Sequence, residues 1–219
     1  MEQAGNLGFG ALLDEMLRLT RQHFPAAALV VLGLTAADLI LVWMMSDFGS
    51  FLPTSVLQFF VFYHFSEHLL ADRLPAGQAR QRHYGALFFA SFMSGLGILV
   101  GLVLLVIPGI YLMARWALIT PLVIAEQLDG RDALSESWDV TSHSNGVLIA
   151  MMLTTGAVLV GVPLLLLIAA EGAEEMAAYA SEVLFSLGVS AWSATSSVMA
   201  VAAYRLLKPG TNAIREVFA

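Results

Sequence analysis

The chain has 219 residues, of which 58% are hydrophobic and only 12% charged, against about 25% charged in an average soluble domain. Its net charge of −7 argues against nucleic acid, which requires clustered Lys and Arg, and its lack of cysteine excludes disulfides, thiolate catalysis and Cys-based metal sites. Long apolar runs with sparse charge define a polytopic membrane protein.

The first 22 residues hold Glu2, Asp14 and Glu15 and lack a basic start followed by a short apolar core. They do not read as a cleaved secretory signal. They predict instead a cytoplasmic interfacial segment over 1–23. Six stretches then reach the roughly 20 apolar residues that a crossing needs: about 24–45, 51–71, 85–107, 110–126, 147–169 and 183–207. Lipid offers no partner to backbone N–H and C=O groups, so each stretch is predicted as a helix. The fourth is short, and Pro121 is placed to kink it. The expected fold is all-α: one membrane domain over 1–219, with six transmembrane helices as three hairpins and short cytoplasmic interfacial helices.

The basic residues set the orientation. With six spans, Arg18, Arg21, Arg73, Arg80, Arg82, Arg131, Arg205, Lys208 and Arg215 all fall on one side. The other side carries Asp47, Glu171, Glu174, Glu175 and Glu182 and no Lys or Arg. The positive-inside rule then places both termini in the cytoplasm. The acidic segment 171–182 reads as a solvated outer loop. Trp43, Trp116 and Trp138 fall near the interfaces, as aromatic belt residues do.

A short internal repeat accompanies this pattern. Residues 12–20 (Leu-Leu-Asp-Glu-Met-Leu-Arg-Leu-Thr) align with 133–141 (Ala-Leu-Ser-Glu-Ser-Trp-Asp-Val-Thr). Leu13, Glu15 and Thr20 match Leu134, Glu136 and Thr141, and each segment is an amphipathic helix candidate before a span. Such repeats are parallel, which does not favour the inverted-repeat transporter folds. Gly97 and Gly101 in span three, and Ser186, Ser190, Ser193 and Ser197 in span six, allow close helix approach.

Polar groups inside the spans are the candidate site. Arg115 lies six residues beyond Pro108-Gly109, read as the turn between spans three and four, so about 9 Å below the outer end of its helix. Asp38 lies at a similar depth of about 10 Å on span one. Each charge alone in mid-membrane costs about 2.5–3.5 kcal/mol on insertion scales, so an Arg115–Asp38 pair is expected. It is either a tie between hairpins or an anion site built on the guanidinium fork. Glu126, at the cytoplasmic end of span four, joins them. Span two ends in His64-Phe-Ser-Glu67-His68, formally His-x-x-Glu-His. The two histidines share a helix face, and Glu126 is the candidate third ligand that zinc would need. The bland reading, polar residues meeting headgroups at the border, outweighs it, and no metal or cofactor is expected.

The central block reads Leu105-Val-Ile-Pro-Gly-Ile-Tyr-Leu-Met-Ala-Arg-Trp116, then Pro121, Glu126, Gly130, Ala133-Leu134 and Ser137-Trp138 followed by Thr141. It resembles the membrane-domain family named after glycerophosphoryl diester phosphodiesterases, together with related six-span bacterial inner-membrane proteins. The resemblance implies a bacterial inner membrane and a connection with lipid or lipid-derived material. It carries over no catalytic residue, because in fused members the chemistry belongs to a separate soluble barrel. The expected function is therefore a non-catalytic protein that binds lipid or a small amphiphile or assists a membrane complex, with membrane lipids and a membrane protein or second copy as partners. The alternatives are a transporter or channel holding substrate between the hairpins, and an intramembrane metalloenzyme using His64, Glu67 and His68.

Overall fold

The computed structural model describes residues 7–74, 82–169 and 175–209. The described residues are helical with no strand: α1 Phe9–Gln22, α2 Phe24–Leu69, α3 Tyr84–Leu104, α4 Val106–Arg115, α5 Ile119–Ala125, α6 Gly130–Val140, α7 Asn145–Gly156, α8 Val162–Ala169 and α9 Glu175–Leu207. Among the described residues, five helical segments are long and apolar enough to cross a membrane: Phe24–Met45, Tyr84–Leu104, Val106–Ala125, Asn145–Ala169 and Tyr179–Leu207. The expected span at 51–71 is not among them. It is the second limb of α2, which runs unbroken through the turn expected near residues 46–50 and contains Pro53.

The chain packs as two compact units. One comprises Met1–Leu19, Ser66–Met151 and Val198–Ala219; the other comprises Thr20–Phe65 and Met152–Ser197. The first holds most of the fully buried side chains, among them Leu12, Leu19, Leu70, Leu122, Leu148 and Met199. Its α1 is amphipathic, burying Leu12, Met16 and Leu19 on one face. Both repeat segments are helices, and two of their buried positions correspond: Leu12 and Met16 in α1 align with Ala133 and Ser137 in α6.

In the first unit, α3 and α4 form a tight hairpin flanked by α5 and α6. Its turn lies three residues before the expected Pro108-Gly109. Only Leu105 leaves helical geometry (φ −160°, ψ 134°), and its N–H still bonds to Gly101 O. Pro108 falls in the first turn of α4, where a missing N–H costs nothing. Gly109 serves close packing: a Cβ there would lie 2.5 Å from Leu102 Cγ and 2.8 Å from Leu102 N.

In the second unit, α7 runs into a π turn, Ala157–Gly161, before α8. Pro163 has no N–H to give to Leu159 O, and the ladder shifts by one residue, so that Val162 N–H bonds to Ala157 O. Gly188 of α9 meets this segment at Leu159 O and Pro163 Cγ.

Candidate functional site

Pro121 fixes the local geometry of the site. It removes one helical N–H, and the chain breaks just upstream, at Trp116–Leu118 between α4 and α5. The break frees backbone groups that lipid could not satisfy. Side chains of α6 and the turn after it satisfy them: Ser137 Oγ donates to Arg115 O (2.8 Å) and accepts from Leu118 N (3.2 Å), and Thr141 Oγ1 also donates to Arg115 O (3.2 Å). Ser137 and Thr141 are fully buried. α6 itself is capped by Asp129, whose carboxylate accepts from Arg131 N and Asp132 N, both at 2.9 Å.

Arg115 ends α4 and is held by neutral groups. Nε donates to Tyr111 OH (2.9 Å), one turn back, and Nη1 donates to Trp138 O (2.7 Å). With the Asn145 amide turned so that its nitrogen donates to Thr141 O (3.0 Å), its oxygen faces Arg115 Nε at 3.2 Å. The guanidinium carbon lies 4.4 Å from the Trp138 ring centroid and 5.3 Å from that of Tyr111. Trp116 completes an aromatic cluster, its ring 6.2 Å from that of Trp138.

Of the expected Arg115–Asp38 pair, each residue has partners within its own unit. Asp38 accepts from Ser186 Oγ at 2.8 Å within the other unit. Around Arg115, Tyr111 and Trp138 converge on the end of α4 and supply oxygen acceptors and π faces.

Glu126 ends α5 and accepts from Lys208 Nζ with both oxygens at 2.9 Å. Gln127 then turns the chain in the left-handed region (φ 58°) toward α6. Lys208 also meets Glu136 of α6 at 2.6 Å. In parallel, Arg205 meets Glu15 of α1 at 3.9 Å and Asp72 at 2.5 Å, and donates to Leu69 O at 2.6 Å. The two glutamates matched by the repeat, Glu15 and Glu136, thus both face cations at the end of α9. Sequence reasoning singled out Glu126 and missed these anchors. The repeat, and the fact that Lys208 is the only lysine in the chain, were the available signals.

His64 and His68 are exposed on α2. Among the described residues no three His, Asp or Glu side chains come together as a metal set, and the proposed third ligand, Glu126, is engaged by Lys208.

The Lys208 anchor makes a pH prediction. Burial works to lower its pKa, but hydrogen bonds from the ammonium to Glu136 and Glu126 outweigh burial and hold the pKa above the ordinary 10.5. A folded-state pKa raised in this way gives stability that is present below about 10.5 and lost as pH climbs through the raised value. The thermal midpoint in detergent should therefore fall above about pH 10.5. Lys208→Met should lose about 1 kcal/mol at neutral pH and should flatten that alkaline fall. An unchanged alkaline limb in the variant would show that tyrosine titration, not Lys208, controls it.

The match to a known family covers Arg115 and its partners but not the anchoring residues Glu15, Asp72, Arg205 and Lys208. The model of the family described as "Membrane domain of glycerophosphoryl diester phosphodiesterase" matches residues 88–204, from α3 to the last turn of α9. No curated protein and no solved structure matches the chain. The matched region is more than half of the chain and contains the Pro108-Gly109 pair, the Arg-Trp pair and the Ser-Trp helix, so this protein belongs to the family of the membrane domain of glycerophosphoryl diester phosphodiesterase.

Proposed function

We propose that this integral membrane protein is non-catalytic and binds lipid, with Arg115 taking the phosphate of an anionic headgroup. The observation that carries the reading is the set of partners of Arg115. Arg18, Arg205 and Lys208 are each held by carboxylates, whereas Arg115 is oriented by Tyr111 OH, Trp138 O and Asn145 and keeps its charge uncompensated by them. A fixed guanidinium fork beside half-exposed Trp and Tyr rings suits a phosphodiester at the headgroup level. The family name points to the same chemistry, since glycerophosphoryl diesters are the polar parts of phospholipids. A structural tie from α4 to α6 is the competing role.

The topology proposed with it is three hairpins, with both termini on the basic, cytoplasmic side of a bacterial inner membrane. Chain closure supports the first hairpin. A straight helix of the length of α2 would hold its ends about 69 Å apart. Yet Glu15, nine residues before it, and Asp72, three residues after it, meet at one guanidinium, that of Arg205. Even fully extended, those flanking residues reach only about 40 Å, so α2 is not straight, and Pro53 offers a place for the bend that a hairpin needs.

Delipidated protein should be titrated with short-chain phosphatidylglycerol and with neutral dioctanoylglycerol, following the fluorescence of Trp116 and Trp138. Phosphatidylglycerol should bind, and Arg115→Lys, which keeps the charge but loses the fork, should bind it about tenfold more weakly, or about 1.4 kcal/mol, with little change in thermal midpoint. Equal binding of the neutral lipid, or a large drop in midpoint with unchanged affinity, would leave Arg115 as a structural tie.

A further inference from the structure

We infer that the α3–α4 hairpin does not cross the bilayer but ends inside it, as an apolar wedge in the cytoplasmic leaflet. The inference rests on this being a membrane protein and not on what Arg115 binds.

The relative heights of the elements in this unit carry the argument. Gly130, which opens α6, lies so close to the start of α3 that a Cβ there would be 2.7 Å from both Ala86 O and Phe89 Cδ1. Near the other end of α6, Trp138 touches Trp116, and Trp116 in turn packs its ring onto Gly97. α6 therefore runs beside α3 from about residue 86 to about residue 97. Yet α6 is a polar helix with Arg131, Asp132 and Asp139 exposed, and Glu136 at its middle is bound to Lys208, just past the end of α9. If α3 crossed the membrane from Tyr84 to Leu104, these charges would lie at hydrocarbon depth, where charged groups are strongly disfavoured. Setting α6 at the surface removes the conflict. The base of α3 then lies at the interface, with exposed Phe88 and Phe92 turned to lipid and the charges of α6 turned to water. Tyr111, Arg115, Trp116 and Trp138 form the interfacial belt.

What remains beyond the belt is short. From Gly97 to Leu104 is about 11 Å of helix, less than half of a hydrocarbon core about 30 Å thick. The tip is apolar throughout. Val103, Leu104, Leu105, Val106 and Ile107 are all more than 60% exposed, whereas the segments expected at the other two tips carry Asp47 and Glu171, Glu174, Glu175 and Glu182. Water is a poor neighbour for five such side chains, and acyl chains are a good one. The turn also suits lipid, because Leu105 is its single non-helical residue and its N–H is bonded to Gly101 O.

A depth profile tests this directly. The chain has no cysteine, so single cysteines can be introduced into the full-length protein and spin-labelled after reconstitution in phosphatidylcholine–phosphatidylglycerol vesicles. The positions are Gly95→Cys, where a Cβ meets nothing, and the exposed Leu99→Cys, Leu105→Cys and Ile107→Cys. The ratio of oxygen to nickel-chelate collision should rise from 95 through 99 and reach its maximum at 105 and 107, several-fold above a label at Arg131→Cys. A maximum at 95 with the tip open to nickel chelate would show a crossing hairpin and overturn the inference. A tip closed to both reagents would show a protein cover and overturn it equally. The profile does not depend on phosphate binding at Arg115, so either proposal can fail alone.

Discussion

Arg205→Met should destabilise the folded protein by about 3 kcal/mol, read as a lower thermal midpoint and loss of a monodisperse peak in detergent. Arg205 is buried, with 8% of its surface exposed. It donates to Leu69 O, a terminal carbonyl of α2 with no helical partner, and meets Asp72 and Glu15. Methionine fills the space but leaves the Leu69 carbonyl without a donor. The loss is bounded because Arg205 Nε is itself buried without a partner and Glu15 keeps Arg18, at 2.6 Å. Asp72→Asn alone should change little, since the Asp72 side chain is 59% exposed. A midpoint in Arg205→Met equal to that in Asp72→Asn would mean that the Leu69 contact contributes nothing.

Gly188→Ala should be comparably damaging, by about 1–3 kcal/mol or more, through the other unit. Here the obstacle is backbone. A new Cβ would run into Leu159 O and lie 2.9 Å from Pro163 Cγ. Neither can yield easily, because the π turn at Ala157–Gly161 is held by Val162 N–H on Ala157 O and by the missing N–H of Pro163. Restoring a regular helix with Pro163→Ala would change the position of Leu159 O, so the double variant Gly188→Ala with Pro163→Ala should recover part of the loss. A Gly188→Ala protein with the parent midpoint would show that α9 can slide away from the turn. Gly33, where an added Cβ meets nothing within 4 Å, is the matched control.

Much of the candidate site was legible as a list of residues, and little of it as a set of contacts. Arg115 stands out because a charge in apolar surroundings demands a partner, and Ser137, Trp138 and Thr141 stand in the motif block that follows it. Depth along separate helices put Asp38 at the level of Arg115, but depth carries no azimuth and did not show that Tyr111, one turn away, meets the guanidinium. The Pro108-Gly109 pair was read as the turn because those residues usually punctuate. It lies instead in the first turn of α4, where proline is tolerated and glycine admits the neighbouring Leu102. Between the first two expected spans, at residues 46–50, the backbone stays helical, and Pro53 is the place within α2 where its hydrogen-bond ladder is interrupted.

The helical membrane class and the family were settled by linear features, a 12% charged fraction, runs of about 20 apolar residues and one 40-residue block of motif. Those features survive because each depends only on neighbours along the chain. The partners of Arg115, Glu126 and Lys208, the anchoring of two repeat-matched glutamates at the end of α9, and the height of α6 along α3 depend on which faces of distant helices meet. Only packing decides that, since an ion pair or a buried hydroxyl is chosen by reach and direction across the fold and leaves no periodic trace in the residues that make it.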